Sequence, residues 1–68
     1  MEVEGAPTPV SVSSLVVRGI TVNTDANTII KKQGQRITVT DINSGDAVEA
    51  HGTRVDDHTM LAKQIEVH

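Results

Sequence analysis

The sequence predicts an all-β domain, a small OB-like barrel or partly open barrel of five to six short strands, and three observations predict it. Ten Val, six Ile and eight Thr fill 24 of the 68 positions, and β-branched side chains favour extended backbone. Short aliphatic runs recur at close intervals, separated by Gly, Asn and Asp clusters, which is the punctuation of strands joined by turns. No stretch sustains a helical period.

Size and composition bound the rest. A chain of 68 residues fills one core, so residues 1–68 form a single domain, with residues 1–9 as a proline-bearing arm or edge strand. The chain has no Phe, Trp, Tyr or Cys, so neither an aromatic anchor nor a disulfide supports the small core. No apolar run approaches the roughly 20 residues of a membrane helix, and no membrane insertion is expected. The first residues, Met1-Glu2-Val3-Glu4-Gly5, lack the features of a signal peptide. The compartment stays open between cytoplasmic and exported or periplasmic, the latter for a fragment whose leader has been removed.

Taken in order, Val3 to Val12 reads as extended but interrupted, because Pro7 and Pro9 cannot donate to a sheet ladder. The first full strand is expected near residues 10–17. Leu15-Val16-Val17 and Ile20-Thr21-Val22 flank Arg18-Gly19, a two-residue hairpin turn in which glycine tolerates positive φ. Thr24 to Asn27 is a second turn. Strands are expected at 20–24 and 28–31, and the polar stretch Lys31 to Arg36 reads as an exposed six-residue loop.

Ile37-Thr38-Val39-Thr40 alternates as a half-buried strand does, giving a strand near 36–40. Asp41 to Asp46 is a tight turn with Ile42 tucked back as a plug and at most one turn of 3-10 helix. Strands at 46–55 and 60–67 form a hairpin across Asp56 to Thr59. With Val55 facing Met60, Ala50 meets Ile65 and Val48 meets Val67. Lys63 interrupts the stripe of Leu61, Ile65 and Val67, opposite Gly52. A bulge near Gly52, or a snorkelling Lys63, reconciles the pattern.

Three strings, Leu15 to Val22, Asp25 to Ile29 and Asp41 to Thr53, followed by Met60 to Val67, resemble a bacterial family of OB-like domains of unknown function. Members are frequent in exported or envelope proteins and often occur in tandem. The resemblance implies a glycine-punctuated barrel and carries no catalytic motif. The prolines in the opening strand and His58 in the last turn depart from the family pattern.

Charge and motif content exclude more than they assign. Six Lys and Arg against nine Asp and Glu give a net charge of −3, and with no aromatic residue the stacking platform for single strands is missing. The candidate ligand-binding residues are Lys31, Lys32 and Arg36, a local basic patch that Arg18 or Arg54 could extend; nucleic acid is not the expected partner. The candidate metal ligands are His51 and His58, with Asp56 and Asp57 beside them. An extended strand holds the two histidines far apart, so no specific divalent site and no cofactor are expected. No serine or threonine stands in a nucleophile motif, and no glycine opens a phosphate loop, so the chain is not read as an enzyme.

What remains is a non-catalytic interaction or structural module that contacts a protein, a glycan or a second copy through a sheet edge or face. A marginal core and an imperfectly closed barrel point to a homodimer, with Lys31 to Arg36 as the hinge of a strand exchange. The alternative is oligonucleotide or oligosaccharide binding on the barrel face.

Overall fold

The computed structural model describes every residue, Met1–His68. The chain is all-β and contains no α-helix. Its strands are β1 (Glu2–Gly5), β2 (Pro7–Ser11), β3 (Ser14–Val17), β4 (Ile20–Asn23), β5 (Ile29–Lys32), β6 (Gln35–Arg36), β7 (Val48–Asp56) and β8 (Thr59–Val67), with one 3-10 turn at Val39–Asp41.

All eight strands join one sheet. The main path runs β1-β7-β8-β4-β3-β2, and β5 with β6 branches from β8. The two ends of that path, β1 and β2, are consecutive stretches of one segment separated by Ala6. The sheet bends round on this segment but does not close by hydrogen bonding. Inside lie Leu15, Val17, Val22, Met60, Ile65 and their apolar neighbours, packed with no polar side chain left unpaired.

The branch is the feature that organises the molecule. Strand β8 pairs in parallel with β4 through Thr59, Met60 and Leu61, then in parallel with β5 through Gln64 to Val67. Between the two partners stand Ala62 and Lys63. Thr28, the buried polar residue, fills the gap: its hydroxyl donates to the Ala62 carbonyl at 2.7 Å and accepts the Asp25 N–H at 3.0 Å. A side chain thus supplies the bond that a neighbouring strand would otherwise make.

A bulge sits at the same point. Val48–Val67 and Ala50–Ile65 pair as the sequence predicts, but Gly52 then meets Ala62, which leaves Lys63 as the extra residue. The bulge shifts the buried positions of β8 from Met60 and Ala62 to Ile65 and Val67. Leu61 therefore lies outside the buried stripe in which the sequence places it. Near the turn, Arg54 rather than Val55 faces Met60, because Val55 is a second extra residue. Gly52 is obligatory here, since a Cβ would run into the Leu61 carbonyl and stand 2.8 Å from the Ala62 Cα.

Three further expectations are corrected. Residues 10–17 are not one strand: Ser13 N–H donates to Ser11 Oγ, the Ser11 and Ser14 hydroxyls bond each other, and the chain turns between β2 and β3. Residues 36–40 are not a strand either. Thr38 N–H donates to the Asp41 carboxylate in a capping box that winds Val39–Asp41 into the 3-10 turn, ahead of the Asn43–Asp46 turn. Ile37 and Val39 alternate as strand residues do, and the local cap overrides them.

Lastly, Lys31 to Arg36 is no loop. Gln33 (φ 53) and Gly34 (φ 80) form a two-residue turn of the same type as Arg18 (φ 51) and Gly19 (φ 79), with positive φ at both central residues. The turn pairs Lys32 with Gln35 and Lys31 with Arg36.

Candidate functional site

Splitting the sheet opens a cleft between its two branches. The cleft has a volume of about 410 Å³ and runs between the β2–β3 turn, the Thr24–Thr28 turn and the segment from Arg36 to Val39. Its apolar walls include Val12, Ile30, Ile37 and Val39. Val12 projects at its mouth with 77% of its surface exposed. Ser13, Thr24 and Thr38 bring hydroxyls, Asp25 one carboxylate and Arg36 one guanidinium.

The edge of β6 borders this cleft without a partner, since β6 pairs only with β5. Antiparallel hydrogen bonds fall on alternate residues. Gln35 closes the two-residue turn against Lys32, and Ile37 N–H donates to the Ile30 carbonyl at 2.9 Å. Arg36 between them therefore turns its N–H and C=O away from β5, toward the open side.

The basic residues singled out in the sequence do not act together. Lys31 and Arg36 are exposed cross-strand neighbours, whereas Lys32 points to the other face and lies 3.4 Å from Asp46. The Asn43 N–H and then Lys32 hold the Asp46 carboxyl below its ordinary range. Arg54 pairs with Asp57 at 2.9 Å, and the Arg18 Nε donates to the Glu4 carbonyl. Neither extends a patch.

The two histidines are likewise apart. His58 sits in the exposed β7–β8 turn, where its N–H donates to the Asp56 carboxylate at 2.9 Å and its carbonyl accepts the Thr21 N–H. The His58 N–H, and after it the Thr59 hydroxyl, hold the Asp56 carboxyl below its ordinary range. His51 instead faces two carboxylates, Glu49 and Glu2, that are not among the candidate ligands named from the sequence. Its Nε2 lies 2.6 Å from Glu49 Oε1 and 3.6 Å from Glu2 Oε2.

These three groups offer ligand atoms within 4.8 Å of one another, which makes them the residues here that could gather round a cation. In the geometry present His51 and Glu49 form a hydrogen bond within β7, and Glu2 of β1 stands against the same imidazole at ion-pair distance. The bond to His51 is the main reason the Glu49 carboxyl sits below its ordinary range. The Glu49-x-His51 spacing, which puts both on one face of a strand, was the available signal. Nothing in the sequence pairs either with Glu2.

The sequence profile of a domain of unknown function, DUF5666, matches residues 2–66. The chain belongs to the DUF5666 family. The matched span takes in every strand but the last residue of β8, so the fork and cleft lie within the DUF5666 domain. No curated protein and no solved structure matches the chain. No catalytic family is indicated, and no helix is long and apolar enough to cross a membrane.

Proposed function

We propose that this DUF5666 chain is a non-catalytic protein-interaction module of OB-like build, and that its cleft receives an extended polypeptide segment. The observation that carries the reading is the unpaired edge of β6 beside the cleft. The Arg36 N–H and C=O meet one backbone unit of the incoming segment, as in strand addition. An aliphatic side chain of that segment then packs between Val12 and Ile37.

The OB-like build is supported by the strand order. The order β2-β3-β4-β8-β7-β1, with β4 and β8 parallel and one bent segment at both ends, is the path of a five-stranded Greek-key barrel. An oligonucleotide or oligosaccharide on the same face has less behind it. The cleft sets one cation against one carboxylate, and no ring is present for stacking.

Selection of displayed random peptides on the immobilised domain tests the reading. Selected peptides are expected to shift the amide resonances of Arg36, Ile37 and Thr24, and to lose binding about tenfold or more with Val12→Asp, which puts a charge into the apolar mouth. Failure to recover any peptide, or shifts confined to another face, overturns the proposal.

A further inference from the structure

The outer face of the sheet carries a row of charge that shares Arg36 alone with the cleft. Register places Glu4 beside Glu49, Glu49 beside Glu66, Glu66 beside Lys31, and Lys31 beside Arg36. Five strands thus present three acids followed by two bases, in a line about 19 Å long at the usual strand spacing. Glu2, in the next row, extends the acidic end. Like charges directly opposite one another are unfavourable, and the row holds two such acidic contacts and one basic contact.

The bases do not relieve the acids within the chain. Neither Lys31 nor Arg36 makes an ion pair, although Lys31 neighbours Glu66 in register. Both are exposed, as are Glu4 and Glu66.

We infer that this face is self-complementary and that a second copy of the chain is its partner. Turned by a two-fold axis that lies in the plane of the contact and perpendicular to the row, the acidic half of one copy covers the basic half of the other, and the reverse contact follows by symmetry. The contact uses side chains of the sheet face, so it needs neither strand exchange nor the edge of β6. Its failure leaves the cleft reading untouched, and the failure of the cleft reading leaves it standing. Because the attraction is between exposed charges, the dimer is salt-sensitive.

Sedimentation velocity on three proteins decides it. The first is the wild type, the second Lys31→Glu with Arg36→Glu, and the third Glu4→Lys with Glu66→Lys. The wild type is expected to dimerise at about 20 mM salt and to weaken about tenfold or more at about 500 mM. Each reversed variant alone is expected to stay monomeric, and an equimolar mixture of the two to form a heterodimer. A monomeric wild type at about 1 mM protein in low salt overturns the inference. So does a dimer indifferent to salt and to both reversals, or a folded pair of variants that fail to associate on mixing. Should a reversed variant not fold, Lys31→Gln with Arg36→Gln takes its place: loss of the wild-type dimer supports the inference, and an unchanged dimer overturns it.

Discussion

Thr28 and Gly52 are the two residues on which the split sheet depends most. Thr28 is 6% exposed and both donates and accepts at the fork. Thr28→Val keeps the shape but leaves the Ala62 carbonyl and the Asp25 N–H without their bonds. A loss of about 2 kcal/mol in urea unfolding is expected, the usual cost of orphaned buried groups. An unchanged midpoint would show that the hydroxyl does not hold the fork.

Gly52 acts through space rather than through φ. Its missing Cβ lets the bulged β8 cross close against β7, so Gly52→Ala forces backbone apart and is expected to cost about 3 kcal/mol. In a domain this small that is a large share of the total stability. Thermal melting of the purified variant checks it.

At the scale of elements, the β5–β6 hairpin yields a change of opposite sign. Gln33 holds a positive φ that asparagine tolerates better, and it stands in an exposed turn. Gln33→Asn is expected to stabilise by about 0.5 kcal/mol in chemical denaturation; a destabilised variant would contradict the turn assignment.

How much could be read from the sequence also separates element by element. The Arg18–Gly19 turn and the Val48–Val67 and Ala50–Ile65 pairs were legible, because glycine at a turn and aliphatic alternation are local signals. The phase change at Lys63 was visible only as an anomaly: one residue out of step announces a bulge but not which neighbours fall inside.

The 3-10 turn was hidden by Ile37 and Val39, whose spacing suits a strand equally well. The Thr38 to Asp41 cap was the competing signal. The cleft, and the approach of Glu2 to the Glu49–His51 pair, were not legible at all. Each joins residues from segments far apart in the chain, and only the register brings them together.

For the whole molecule, three carboxyls tie structure to pH. The Asn43 N–H and Lys32 lower the Asp46 carboxyl, the bond to His51 lowers that of Glu49, and the His58 N–H lowers that of Asp56. A carboxyl whose pKa is lowered by folding stabilises the native state above its unfolded value and loses that contribution as pH falls through the folded one. Melting temperature is therefore expected to be flat between about pH 7 and 5, and to decline once the pH falls below about 4, the ordinary carboxylate range. Asp46→Asn is expected to flatten part of that decline, and Glu49→Gln another part. A melting temperature that rose on acidification would contradict the assignment.

The sheet divides at Ala62 and Lys63, and the division leaves the edge of β6 unpaired beside an open cleft. Residue-resolved amide hydrogen exchange tests this most directly. In the free domain the Ile37 amide, bonded to the Ile30 carbonyl, is expected to be protected, while the Arg36 amide exchanges nearly as fast as in an unstructured chain. Arg36 protected as strongly as Ile37 in the free domain would mean that the edge is already covered, and would contradict the account.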